Sequence, residues 1–244
     1  MNNTLIQKYS VKYSHVDSDK FLRLDGALTY FEEVTTVHSK EMGIDGDTTK
    51  QKSNAYWVLS RVKLKINDLP SLYDTIDVET FPTTAGAVKF CRDYTIKKDG
   101  RLLLAGASEW CTLDVDTLAI RRTNTICYPK DLVHREDRSG AGDFLKIREE
   151  VLDADYNHTH TSRFCDIDSN NHTNNVAYVR MALNCFTPQE FAKINIDECE
   201  ISFTMQTYCG DEIKVYKKQT EYGYYIEGKK DGKSVFNLAI KTKC

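Results

Sequence analysis

Proline is scarce, with four in 244 residues, and long apolar runs are missing altogether. No window approaches the roughly 18 consecutive apolar residues that cross a bilayer as a helix, which excludes a helical membrane protein. The residues up to Lys8 hold no apolar core of the kind a secretion signal needs. An excess of one charge is missing too. The net charge is −3 and the pI near 6.1, so no whole-chain field would draw the protein to nucleic acid or to an anionic membrane. Eight cysteines occur (Cys91, Cys111, Cys127, Cys165, Cys185, Cys199, Cys209 and Cys244), and none falls in a Cys-x-x-Cys pair. They read as reduced, mostly buried thiols and not as a disulfide framework. A soluble, cytoplasmic protein is the expectation.

What is abundant is aromatic. Fourteen Tyr and ten Phe beside so few prolines favour extended, sheet-rich structure. The first clear element is nevertheless a helix: Leu24, Ala27, Leu28, Phe31, Val34 and Val37 recur at three- and four-residue steps, one buried face over 24–43. A polar loop over 45–54 comes next. Strands are expected at 57–66, 74–81, 88–97 and 102–114, the last two joined by Asp99-Gly100, a dipeptide suited to a positive-φ hairpin turn. The stretch 121–150 has no periodicity and contains Ser139-Gly140-Ala141-Gly142, so it reads as a linker.

The second half repeats the plan. Polar residues over 162–172 lead into a buried helix over 174–186, capped by Asn174 or Asn175. Thr187-Pro188-Gln189-Glu190 is a capping box that starts a short helix, and strands resume at 200–208, 212–220, 224–230 and 234–242. Even the approach to each helix matches, with Ser14-His15-Val16-Asp17-Ser18-Asp19 set against Cys165-Asp166-Ile167-Asp168-Ser169-Asn170. An internal duplication explains this order, and a helix followed by a meandering sheet suggests a sheet wrapped around the helix. The fold expected is α+β, a tandem (double) hotdog, divided into 1–125, a linker over 126–150, and 151–244.

One stretch is chemically dense. From Arg163 to Tyr178 it brings Asp166, Asp168, Asn170, Asn171, His172, Asn174 and Asn175 into one loop and helix start. An Asp-x-Asn-x-His loop followed by a hydrophobic residue, Asn-Asn and a Tyr resembles the signature of the acyl-[acyl carrier protein] thioesterases, plant plastid enzymes with bacterial relatives. Thr173 stands where that family usually has Val. The resemblance covers most of the chain, through Asp17, the helix end from His38 to Gly43, and the strand start from Trp57 to Arg61.

It implies hydrolysis of the thioester between a fatty acyl chain and acyl carrier protein, releasing free fatty acid and ending fatty acid synthesis. Asp168, Asn170 and His172 fall on the family's catalytic trio. Asp168 would attack the carbonyl or activate a water; His172 would move the proton; Asn170 would orient its neighbours. The family's catalytic Glu corresponds to Gln206, which cannot ionise. Either that acid is dispensable here, or the register differs and Glu198 or Glu200 serves. Phe21 holds the His position in the first half, so that half does no chemistry and shapes the acyl pocket. Phe21, Asn174 and Asn175 are candidate substrate-binding residues, and Asn174 and Asn175 are also read as structural caps.

Other features have plainer readings. His158 and His160 lack a nearby third ligand and read as a solvated stretch, so no metal is expected, and no cofactor. Arg121-Arg122 and Lys217-Lys218 are solvated faces or a contact for acidic acyl carrier protein. Two rival functions stand beside the leading one: an acyl-coenzyme A thioesterase of the same fold, and a non-catalytic acyl-binding protein. Because the fused halves supply the pairing that single hotdogs obtain by dimerising, the protein is a monomer or a homodimer.

Overall fold

Two Asp-Gly turns pin the hairpins. Asp99 and Gly100 take φ of 50° and 79°, and Asp231 and Gly232 take 50° and 75°, as a two-residue turn with both central residues in the left-handed region requires. This computed structural model describes residues 3–243 except 131, 133, 136 and 146. Cys244, one of the expected buried thiols, lies outside the described residues.

The first half runs β1 (Leu5–Ser10), α1 (Leu24–Glu41), α2 (Gly46–Ser53), β2 (Ala55–Ile66), β3 (Thr75–Thr83), β4 (Phe90–Lys98) and β5 (Arg101–Asp114). The second runs β6 (Tyr156–Thr161), α3 (Asn175–Leu183), α4 (Pro188–Phe191), β7 (Ile196–Phe203), β8 (Glu212–Thr220), β9 (Gly223–Lys230) and β10 (Lys233–Thr242). Among the described residues ten strands form one sheet, in the order β1-β3-β4-β5-β2-β7-β10-β9-β8-β6. That order is symmetric about the β2–β7 seam, so the halves are related by a pseudo-twofold.

At the seam Arg61 to Lys65 pair antiparallel with Ser202 to Glu198. Opposite charges face one another there: Lys63 lies 3.1 Å from Glu198, and Lys65 lies 2.8 Å from Asp197. Both helices lie on the same side of the sheet. Leu24, Ala27, Leu28, Phe31 and Val34 of α1 and Val176, Ala177, Val179 and Met181 of α3 join Leu64, Ile96, Leu104, Ile201 and Phe236 in a single core. The helix and double hotdog expected from the sequence are therefore present.

Several local expectations change. The loop over 45–54 holds α2, capped by the Asp45 side chain on the Thr48 amide and ended by Asn54 at φ 47°. Only Thr49 of α2 is buried, so no apolar period marked it. The second helix is shorter than 174–186, because Thr187-Pro188 begins α4. The strand placed at 200–208 lies at Ile196–Phe203. Its chain leaves the sheet where the Thr204 and Met205 amides both donate to the Val235 carbonyl. Of the described cysteines only Cys185 and Cys199 are buried, and Cys165 and Cys209 are exposed.

The chain joining β5 to β6 crosses the outer face of the sheet and is held there. Arg138 binds Asp93 at 2.8 Å, the Ser139 hydroxyl donates to the Gly106 carbonyl, and Ala141 packs on Ala105 and Ala107.

Candidate active site

The loop before α3 is built from its own carboxylate. Asp168 Oδ1 accepts the backbone amides of Asn170 at 2.8 Å and His172 at 3.2 Å. The Asp168 amide donates to the His172 carbonyl, and Asn171 closes the turn at φ 62°. Before α1 the same turn recurs. Asp17 Oδ1 accepts Asp19 at 3.0 Å and Phe21 at 2.9 Å, the Asp17 amide donates to the Phe21 carbonyl, and Lys20 sits at φ 68°. The duplication thus extends to single hydrogen bonds, with His172 in one copy and Phe21 in the other.

Within the second copy, Asp168, Asn170 and His172 share one short loop. The Asn170 amide reaches Asp168 Oδ2 at 3.5 Å, and the half-buried His172 ring meets Tyr208 edge-on with centroids 5.2 Å apart. A chain of hydroxyls anchors the start of α3 to the turn after β7. Thr173 Oγ1 lies 3.1 Å from Ser162 Oγ and accepts from Thr207 Oγ1 at 2.7 Å, and Thr207 Oγ1 lies 2.8 Å from the Tyr178 hydroxyl. Thr173, where a Val was expected, uses its hydroxyl in this chain. Asp166 holds the other end, taking the Arg163 amide and His160 Nε2, both at 2.9 Å. His160 belongs to β6, so the expected solvated stretch is an edge strand.

Asn174 caps α3, accepting the Val176 amide at 2.7 Å, while its Nδ2 lies 3.4 Å from Glu32 Oε2. Asn175 and Glu32 line a narrow cavity between the helices and the sheet, closed elsewhere by Phe31, Leu59, Trp110 and Phe203. Phe31 stacks on Tyr94, 4.4 Å between centroids. Phe21 does not line this cavity; it is 43% exposed on the first-half loop. Gln206 is exposed in the turn after β7, next to the buried Thr207. Glu198 and Glu200 point to the outer face, where Glu198 binds Lys63 and Glu200 accepts the Leu145 amide.

Glu32 is the residue that the sequence alone did not single out. Burial pushes its carboxyl up; the Asn174 hydrogen bond opposes this, the nearby Asp168 charge adds to it, and the result is about 7. It sits within a regular helix beside Glu33, and nothing local sets it apart.

Lys217 donates to the Cys185 carbonyl, and Lys218 pairs with Glu149. Arg121 pairs with Asp114. Three of the four basic residues noted in the sequence are thus engaged within the chain.

Comparison with known proteins agrees with the fold. The family model described as "Acyl-ACP thioesterase N-terminal domain" (ACP, acyl carrier protein) matches residues 2–128, and that described as "Acyl-ACP thioesterase C-terminal domain" matches residues 149–242. A chloroplastic palmitoyl-acyl carrier protein thioesterase of Cuphea hookeriana is 23% identical, over 84% of this chain and 52% of its own length. The chain thus spans about half the length of the curated relatives it matches. Among solved structures, an acyl-ACP thioesterase from Bacteroides thetaiotaomicron superposes with a TM-score of 0.88 at 21% identity, covering 99% of this chain and 98% of that one. The 12:0-ACP thioesterase from Umbellularia californica superposes with a TM-score of 0.86 at 15% identity, covering 100% and 98%. A tandem hotdog with one His-bearing loop, matched in both halves by these models, belongs to the acyl-ACP thioesterase family.

Proposed function

We propose that the protein hydrolyses the thioester of fatty acyl-ACP, releasing free fatty acid and ending chain growth, in a cytoplasm that suits its free thiols. The observation that carries this reading is the loop pair: one backbone turn built twice, with an imidazole in the second copy only. Residues 1–125 supply most of the cavity wall, 151–244 supply the loop, and Arg138 to Ala141 of the linker 126–150 lie on the outer face.

In this reading the acyl chain lies between Phe31, Leu59, Trp110 and Phe203, with the thioester at the loop end near Asn175. His172 moves the proton and Asn170 orients it or the attacking group, while Asp168 holds the turn in shape. The loop amides and side-chain amides are donors for the charge that develops on the carbonyl oxygen. Gln206 can only hydrogen-bond.

The test is hydrolysis of matched acyl-ACP and acyl-coenzyme A by wild type, Asp168→Ala and His172→Ala. Wild type should cleave acyl-ACP faster, and each variant should lose about 100-fold or more. Cleavage of neither substrate would leave a non-catalytic acyl-binding protein. A preference for acyl-coenzyme A would replace the carrier protein as partner. Full rate in either variant would remove that residue from the site.

A further inference from the structure

The pseudo-twofold pairs each loop with the helix of the other half. α1 and α3 begin after equivalent turns, and the ninth residue of each is Glu32 in α1 and Leu183 in α3. Two matched positions therefore differ together. The loop with His172 faces the helix that carries Glu32. Its counterpart carries Phe21, and the symmetry-matched helix position is apolar Leu183. Glu32 is tied to the His172-bearing loop segment through Asn174 and the Asp168 charge, while the matched place in the other copy is apolar.

The Asp168 carboxylate does not by itself mark a proton acceptor. Its Oδ1 accepts two backbone amides, and Asp17 does the same in a loop that has no imidazole. That geometry builds the turn. Glu32 has no such local duty. It is held among Leu28, Phe31, Val176 and Phe203 on the cavity wall, touching the second half through Asn174. The charged and titratable groups facing it are Asp168 from the loop, Arg180 from α3 and Tyr94 from β4. Arg180 is itself engaged by Asp25 at 3.2 Å, which limits what it can neutralise.

We infer that Glu32, contributed by the first half, is the general base of the site whose loop comes from the second half, filling the role that Gln206 cannot. This rests on the thioesterase reading. Ionised Glu32 takes a proton from a water as that water's oxygen bonds to the thioester carbon. The carbon–sulfur bond then breaks with its electron pair left on sulfur, and the proton returns through Glu32 or His172 to the departing thiolate. Acid and thiol are the products, and nothing else is consumed. A carboxyl that burial has raised toward neutrality matches this duty, since a base works best with a pKa near the operating pH.

The experiment compares the pH dependence of acyl-ACP hydrolysis by wild type, Glu32→Gln and Glu32→Asp, with folding checked by thermal unfolding. Wild-type kcat/KM should rise through pH 7. Glu32→Gln should lose about 100-fold or more in kcat with little change in KM, and its remaining rate should lack that rise. Glu32→Asp should recover part of the rate and keep a rise at a shifted pH. If Glu32→Gln does not fold, the infrared carbonyl component of protonated carboxyl that differs between wild type and Glu32→Asp, followed against pH, decides: its persistence in wild type above about pH 5 supports the inference. A Glu32→Gln enzyme that retains both rate and pH profile overturns it, as does complete carboxyl ionisation below about pH 5. Wild type inactive on every acyl thioester instead overturns the thioesterase reading itself.

Discussion

Asp25 in α1 binds Arg180 in α3 across the two halves, Oδ2 to Nε at 3.2 Å, while Arg23 holds the same carboxylate at 2.8 and 2.9 Å. The Asp25 side chain is 2% exposed, and that of Arg180 is 50%. Burial works to raise this carboxyl, but the hydrogen bonds and charges of Arg23 and Arg180 hold it below its ordinary range. Asp25→Ala should cost about 1–3 kcal/mol, because two partly exposed guanidiniums lose the carboxylate they share. Arg180→Ala should cost about 1 kcal/mol, since Arg23 remains. Because the folded value is depressed, this contribution is complete above the unfolded pKa of about 4 and fades as pH falls through the folded one. Urea unfolding of both variants at pH 7 and pH 3 measures it.

Glu32 has the opposite sign. Its folded value is raised to about 7, so its cost to the fold is absent below the unfolded pKa and grows as pH rises toward and past 7. Glu32→Gln should therefore leave stability at pH 5 nearly unchanged and raise it at pH 8 by about 1–3 kcal/mol. Equal unfolding midpoints for variant and wild type at pH 8 would contradict this.

Tyr178 and Thr207 share two hydrogen bonds, hydroxyl to hydroxyl at 2.8 Å and the Thr207 amide to the Tyr178 hydroxyl at 3.1 Å. Tyr178→Phe should destabilise by about 1–2 kcal/mol. Thr207 also binds Thr173, the residue after His172, so kcat should drop roughly 10-fold through misplacement of the loop. Thermal unfolding and steady-state rates separate the two effects.

Gly106 in β5 lies directly against the Phe31 ring of α1. A Cβ there would lie 2.4 Å from the Phe31 ring. Gly106→Ala should push Phe31 into the cavity, destabilise by about 1–3 kcal/mol, and bias hydrolysis toward shorter acyl chains. Competition between acyl-ACPs of different length would detect the shift.

Much of this organisation was legible in the sequence because it is local. Apolar spacing located α1, Asp-Gly dipeptides located two hairpins, and the loop around Asp168 stood out by composition. What escaped depends on residues distant in sequence. The raised carboxyl of Glu32 needs its burial between the two halves, with the Asp168 charge adding to it; the β2–β7 seam needs both halves; the edge strand β6 holds His160 only because Asp166 comes back to it. Gln206 could be aligned from the motif, but its exposed turn results from the early end of β7 at Phe203.

The seam between β2 and β7 joins two copies within one covalent chain, so every position beside it occurs once. In a symmetric dimer of identical subunits, replacing an imidazole by a phenyl ring would strip both sites together. Here Phe21 and Leu183 can change without touching His172 and Glu32. Fusion thus freed one loop from carrying an imidazole and let its half become wall and brace.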